Sequence, residues 1–296
     1  MKRKALSRNR ITVFDVILTA VFGLLALITL YPFYNVLIVS LSNTVAVAKH
    51  VPYMLPYVFD LTGYKVILQD IKFIRAFGIS VFVTLVGTTI NMLRSVIGAY
   101  VLSKKQLIGR GFFLGMILFT MLFGGGVVPT YMVVKELNLI NSIWAMILPT
   151  AVSTYYLIIM KNYFIGLPAG LLEAAHLDGA NEWCILWKIA IPVSKPFIAT
   201  FALFYSVERW NEWYNALLYI NKSEYSPLQI YLREILINLN MQLSSQAQQM
   251  VSSTQKVSNT AVQMATIIIT AVPIICVYPF LQKYFVNGIM VGGLKE

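Results

Sequence analysis

The sequence predicts an all-α polytopic membrane protein with six transmembrane helices. Of its 296 residues, 58% are hydrophobic and 12% are charged, which is about half the charge of an average soluble domain. The hydrophobic residues form six long runs, each close to the roughly 20 residues that a helix needs to cross a bilayer. The Lys and Arg residues behind the net charge of +11 lie mainly between these runs. This pattern is typical of membrane topology, so we expect lipid around the chain and no nucleic-acid partner.

The six predicted spans cover, in chain order, residues 16–41, 77–102, 112–134, 142–160, 196–220 and 260–285. The first run follows a basic stretch, so a cleaved signal peptide is the alternative for it. The apolar part of a signal peptide is about 7–15 residues long, and the run over 16–41 is far longer. We therefore expect an uncleaved first transmembrane helix.

Lys and Arg in the connections predict the orientation. With the amino terminus inside, the segments 1–15, 103–111, 161–195 and 283–296 are cytoplasmic and contain thirteen basic residues, against eight in the external connections. Cytoplasmic loops normally carry this excess. We therefore predict a multi-pass protein of the cytoplasmic membrane with both termini inside. Its parts are a cytoplasmic tail over 1–15, the first helix, an external loop over 42–76, a transmembrane core over 77–285 and a cytoplasmic tail over 286–296.

The cytoplasmic connection over 163–195 is long and not simply polar. Pro168 suits the first turn of a helix, and Gly179 suits a bend or a helix end. After the glycine, Trp183 and Trp187 recur at helical spacing, and Pro192 prevents smooth continuation into the fifth span. The segment thus predicts two short helices around a glycine bend. From the pattern alone, these helices lie on the membrane surface or cover the bundle.

The order of residues in this connection resembles the EAA motif of the permease subunits of binding-protein-dependent ABC importers. The motif is EAA-x3-G-x9-I-x-L-P, and the chain matches it from Glu173-Ala174-Ala175 through Gly179 to Pro192, with Ile191 in place of Leu. Asp178 and Ala180 complete the usual D-G-A around the glycine. Four further segments resemble the carbohydrate, MalG-like permeases: GGGVVPTY at 124–131, LNLINS at 137–142, WNEWYNAL at 210–217 and QKYFVNG at 282–288. The GGG-x-x-PTY form resembles most the subgroup for oligosaccharides and polysaccharide fragments.

The resemblance implies a type I ABC importer fold and a set of partners. These are a second, non-identical permease, two ATPase subunits, an external solute-binding protein and a carbohydrate solute. ATP and Mg would belong to the ATPases, and this chain would be a non-catalytic subunit without a cofactor or metal. The EAA loop would be the coupling element, with Glu173, Ala174, Ala175, Asp178, Gly179 and Pro192 as its residues. Another polar solute, such as a glycerol phosphate, is the alternative within the same class.

Polar residues at membrane depth are costly and are therefore candidates for function. Arg94 in the second span either snorkels or pairs within the bundle, or contacts solute. In the fifth span, Trp210, Asn211, Trp213, Tyr214 and Asn215 are the candidates for a sugar path, because rings and amides suit carbohydrate; an interfacial aromatic belt with subunit packing is the alternative. Glu208 and Glu212 are predicted to share one helix face, where they cannot flank a glycosidic bond.

Two other classes of protein fit the sequence less well. A secondary transporter would be expected to have two related halves with broken helices, and no internal repeat is visible. A membrane-embedded enzyme would need clustered His, Asp or Cys residues, whereas His50 and His176 are isolated and have no partners at metal-ligand spacing. The sequence also lacks the G-x4-G-K-[ST] segment that cradles phosphates.

Overall fold

The computed structural model describes residues 12–42, 58–246 and 260–277, without the side chains of 238–246. The predicted tail over 286–296, most of the tail over 1–15, His50 and the motif at 282–288 lie outside these residues. The helices are α1 Val13–Ser40, α2 Thr62–Gln69, α3 Ile71–Ser103, α4 Arg110–Leu122, α5 Val127–Glu136, α6 Trp144–Ile147, α7 Thr154–Ile165, α8 Ala169–Leu177, α9 Glu182–Val193, α10 Lys195–Trp210, α11 Tyr214–Tyr219, α12 Leu228–Gln246 and α13 Thr260–Val277.

Among the described residues, α1, α3 and α13 are each long and apolar enough to cross a membrane. Three bent pairs raise the number to six if each pair is one span: α4 with α5 at 116°, α7 with α8 at 73° and α9 with α10 at 86°. The all-α class and the six apolar regions predicted from the sequence are therefore confirmed. The described part of the sixth span ends at residue 277, short of the predicted 285.

Three of the predicted spans are less continuous than expected. The third is broken between Leu122 and Val127, where Gly126 has a φ of 84° that residues with a Cβ rarely adopt. The fourth consists of the short α6 and then α7, separated by a non-helical segment that contains Pro149. The fifth ends as a helix at Trp210, and the separate α11 begins at Tyr214.

The chain divides into two compact units, of which the first comprises residues 1–67 and 238–269. In this unit α1 is exposed along most of its length, as expected of a helix that faces lipid. Asp15 closes the amino end of α1, because its carboxylate accepts the backbone N–H of Thr12 at 2.9 Å. At the other end, the hydroxyls of Ser40 and Tyr64 share a hydrogen bond of 2.7 Å that ties α1 to α2.

The second unit comprises residues 68–237 and 270–296, and its core lies where α3, α7 and α10 pack together. The hydroxyls of Ser95 and Tyr205 share a buried hydrogen bond of 2.7 Å between α3 and α10. The same Tyr205 oxygen accepts the backbone N–H of Ser153 at 3.2 Å, which brings in the segment before α7. The connection between α7 and α10 packs onto this core through Ile185 and Leu186 of α9, both buried.

Candidate functional site

The predicted helix, glycine bend and second helix are all present in the connection between α7 and α10. Helix α8 ends at Leu177, and Gly179 follows with a φ of 78°. The backbone N–H of Gly179 donates to the carbonyl of His176 at 3.0 Å, and the N–H of Ala180 donates to the carbonyl of Ala175 at 3.0 Å. These two bonds close the end of α8. A Cβ on Gly179 would meet no atom within 4 Å. Within this chain, the backbone conformation alone therefore favours glycine at the bend.

The side chains of the EAA motif divide between the surface and the core. Glu173, Ala174 and Asp178 are exposed, as are Gly179 and Pro192. Ala175 is only 6% exposed and belongs to the hydrophobic core with residues of α3, α7 and α10. Helical periodicity requires this division, since neighbouring residues point about 100° apart around the axis. Ala175 thus holds the loop on the membrane spans, and its neighbours present a surface.

An exposed apolar surface accompanies the charged residues of the motif. Leu177 is 90% exposed, Trp183 is 60% exposed and Trp187 is also exposed. Such a group of large apolar side chains is typical of a protein interface when polar residues border it. We call Glu173, Ala174, Leu177, Asp178, Gly179 and Trp183 the loop surface. The sequence prediction did not include Leu177 or Trp183 among the contact residues. The position of Leu177 directly before the D-G-A could have indicated that this leucine is exposed.

Glu182 fastens the loop to the end of α3 and is absent from the sequence predictions. Its Oε2 accepts the Tyr100 hydroxyl at 2.6 Å and the Lys104 ammonium at 2.9 Å. Its Oε1 lies 3.5 Å from Nε2 of His176, at the end of α8. Burial raises the pKa of the Glu182 carboxyl, but these hydrogen bonds and positive charges outweigh burial and hold the pKa below its ordinary value. The carboxylate therefore connects α3, α8 and α9.

The buried Arg209 of α10 makes hydrogen bonds to several parts of the second unit. It is 4% exposed. Its Nη1 donates to the carbonyl of Met146 at 2.6 Å and to Thr150 Oγ1 at 2.9 Å, and its Nη2 donates to the carbonyl of Thr150 at 2.6 Å and to Asn91 Oδ1 at 3.1 Å. A Cβ on Gly87 would lie 2.9 Å from Arg209 Cδ. The glycine at this position of α3 therefore leaves room for the arginine side chain.

The five residues proposed for a sugar path do not lie together on one surface. Trp210 is buried, and its indole N–H donates to the carbonyl of Thr270 on α13 at 3.1 Å. Asn215 is also buried, with its amide donating to Glu212 Oε2 at 2.9 Å. Asn211, Trp213 and Tyr214 are exposed. Packing thus accounts for two of the five residues, and three remain available to a solute.

The prediction that Glu208 and Glu212 share one helix face is wrong, because α10 ends at Trp210. Glu208 is exposed and accepts the Tyr156 hydroxyl at 2.6 Å. Glu212 instead lies beyond the end of α10, and its Oε1 accepts the backbone N–H of Asn215 at 2.9 Å. Arg94 on α3 is exposed and has no ion pair with the residues that the structure describes. Within those same residues, no three His, Cys, Asp or Glu side chains group as a metal site.

Comparison with known proteins relates nearly the whole chain to transport components. Residues 11–291 match the family model described as "Binding-protein-dependent transport system inner membrane component". Protein LplC of Bacillus subtilis (strain 168) is 41% identical over 96% of this chain and 95% of its own length. The polygalacturonan/rhamnogalacturonan transport system permease protein YtcP of the same organism is 39% identical over 97% of this chain and 99% of its own length.

A solved structure matches the fold over almost the same extent. It is described as the crystal structure of a bacterial ABC transporter involved in the import of the acidic polysaccharide alginate. Its matching chain superposes with a TM-score of 0.84 at 32% identity, covering 96% of this chain and 100% of that chain.

Proposed function

The chain belongs to the family of binding-protein-dependent transport system inner membrane components, and we propose that it carries an oligosaccharide across the cytoplasmic membrane. It is an ABC-importer permease and itself catalyses no reaction. Similarity over nearly the full length to a permease named for polygalacturonan and rhamnogalacturonan supports a carbohydrate solute. The full-length match to a chain of an alginate importer supports the same class of solute.

The loop surface is the single feature that carries the proposed mechanism. Glu173 and Asp178 offer carboxylates to basic side chains of an ATPase subunit, and Leu177 and Trp183 offer apolar area to the same partner. Small residues at 174 and 179 allow close approach. In this proposal two ATPase subunits hold the ATP and Mg, and their closure displaces α8 and α9.

The Glu182 bonds provide a path from the loop to the membrane spans. A displacement of α8 and α9 acts on α3 through the carboxylate contacts with Tyr100 and Lys104. It acts on α7 and α10 through the buried core that contains Ala175 and Ile185. Since packed cores shift between discrete arrangements rather than deform continuously, the three spans would reorient together.

The proposed assembly also contains a second, non-identical permease and an external solute-binding protein. Both termini of this chain lie in the cytoplasm in the proposal, as the excess of Lys and Arg in those connections favours. Asn211, Trp213 and Tyr214 would contact the solute, while Trp210 and Asn215 hold that surface from beneath.

Purification from native membranes tests the assembly. A tag on this chain should recover one other permease and an ATPase, and vesicles with these subunits and the solute-binding protein should take up an oligosaccharide when ATP is supplied. A homodimer of this chain that transports sugar without either partner would overturn the proposal.

A further inference from the structure

A groove lies between Trp213 and the first half of α12, within the second unit. Its volume is about 500 Å³, inside the range of about 300–1,000 Å³ that is usual for small-molecule sites. The lining residues are Trp213, Gln229, Leu232, Arg233, Leu236 and Ile237. Among these described side chains, most are apolar, one is cationic and one is an amide, which is the composition of a site that orients an amphipathic ligand.

Arg233 brings a positive charge to this groove that no carboxylate neutralises in the described part of the chain. Its guanidinium carbon lies 5.7 Å from the centre of the Trp213 ring, a cation–π contact that holds the side chain beside the groove. The sequence after Glu234 contains no Asp or Glu before Glu296. Arg209, in contrast, donates its N–H groups to carbonyl and side-chain oxygens inside the core.

The polar rim of the groove is fixed by a pair of amides. Gln229 Nε2 donates to Asn211 Oδ1 at 3.2 Å, which joins the start of α12 to the end of α10. Trp213 is exposed beside this pair. An aromatic face, an amide rim and a guanidinium therefore meet at one place, although they come from separate elements.

We propose that this groove binds a carboxylate-bearing sugar unit of an oligosaccharide, with Arg233 as the residue that selects for negative charge; the proposal rests on the transport function given above. The planar guanidinium can donate two parallel hydrogen bonds to a carboxylate. The indole of Trp213 and the side chains of Leu232 and Leu236 contact the apolar face of the sugar ring. The Gln229 and Asn211 amides bond to hydroxyls. A neutral sugar would leave the cation without its partner.

The test compares two trisaccharides in vesicles that contain the intact importer and its solute-binding protein. One is trigalacturonate, and the other is the same trisaccharide with its carboxyl groups reduced. Arg233→Gln should raise the KM for uptake of trigalacturonate about tenfold or more, as expected when a charged hydrogen bond is lost. It should leave uptake of the neutral trisaccharide unchanged. Arg233→Lys should recover part of the loss, and Lys222→Gln, which removes another exposed charge, should behave as the wild type.

Each other result has a distinct meaning. If Arg233→Gln impairs both trisaccharides equally, impairs neither, or prevents assembly with the partner subunits, the groove does not select for carboxylate and the proposal is overturned. The same holds if the effect of Arg233→Gln appears only in vesicles of anionic lipid, because the charge then serves the lipid surface. Uptake of only the neutral trisaccharide by the wild type overturns this inference but keeps the transport function, whereas uptake of no oligosaccharide overturns the function itself.

Discussion

Arg209 lies in the core of the second unit, beside the non-helical segment that follows α6. Broken helices leave carbonyl oxygens unbonded, and inside a membrane protein these oxygens need donors from elsewhere. The guanidinium supplies donors to the carbonyls of Met146 and Thr150. The irregular segment of the fourth span is therefore stabilised by Arg209, which donates to its carbonyl oxygens from α10.

Replacing Arg209 should destabilise the protein strongly. Arg209→Met leaves buried carbonyls without donors, each at a cost of about 1–3 kcal/mol, and Arg209→Lys cannot restore the planar fork. The melting temperature of the purified complex in detergent should fall for both variants. Arg94→Gln removes an exposed arginine from α3 and should leave that temperature unchanged. Equal melting of the Arg209 variants and the wild type would show that the segment does not need this donor.

The Glu182 carboxylate joins the loop to the end of α3. Glu182→Gln keeps the shape of the side chain but weakens its contacts with Lys104 and His176, so transport per ATP hydrolysed should fall while the complex stays assembled. The pKa of Glu182 is lowered in the folded protein by Tyr100 and Lys104. The contact is thus present above the ordinary Glu pKa of about 4.3 and is lost only as the pH falls through the lower folded value.

A pH series of reconstituted uptake checks this prediction. In a His176→Gln background, which removes the imidazole beside Oε1, the difference between Glu182 and Glu182→Gln should stay constant from about pH 8 to pH 6, because the carboxyl is ionised throughout that range. Full coupling in Glu182→Gln would show that the bonds to α3 do not transmit the motion of the loop.

The loop between α7 and α10 is the element where sequence and structure agree best, and the element breaks are where they agree least. The two short helices and the bend at Gly179 follow from local signals, namely Pro168, the glycine and the helical spacing of the tryptophans. Beside the break after Trp210, the Arg209 side chain bonds to Met146 and Thr150, which are distant in the sequence. Local patterns do not contain such contacts, so the prediction of one face for Glu208 and Glu212 failed.

Gly179 should tolerate a side chain poorly for a reason that belongs to the bend itself. Its φ of 78° is a left-handed conformation that adds about 1–2 kcal/mol of strain for most L-residues. Gly179→Val should therefore reduce ATPase retention in the purified complex, while association with the second permease remains. Gly170 lies on α8, and a Cβ added there would meet no atom within 4 Å. Gly170→Ala should therefore have no effect on ATPase retention, or a small stabilising effect on the helix. Normal ATPase retention in Gly179→Val would contradict the need for this bend.

The core of the second unit is built from α3, α7 and α10, and the loop between α7 and α10 packs on that core. The composition and the spacing of apolar runs were sufficient to predict the class and the number of spans. They did not predict which aromatic residues of the fifth span are buried, because α13 covers Trp210 only in the folded chain. Burial separates Trp213 from Trp210 even though the two residues look equivalent in the sequence.

This difference gives a prediction for uptake. Trp213→Ala should lower oligosaccharide uptake without changing the amount of assembled complex, because the exposed ring contacts solute in the proposal. Trp210→Ala should lower the amount of complex itself, since removing a buried aromatic ring costs about 3–5 kcal/mol. Uptake assays normalised to complex, recovered by a tag on this chain, separate the two effects. Normal uptake in Trp213→Ala would remove this residue from the solute path.

Glu173→Lys tests most directly whether the loop surface couples an ATPase to these membrane spans. The substitution reverses a charge on an exposed side chain, so insertion and association with the second permease should be normal. In vesicles with all subunits, solute-stimulated ATP hydrolysis and uptake should both fall, together with ATPase retention. Glu136→Lys makes the same reversal at the end of α5, outside the loop surface, and should act as the wild type. If Glu173→Lys transports and hydrolyses ATP at the normal rate with full ATPase retention, the loop surface is not the coupling element.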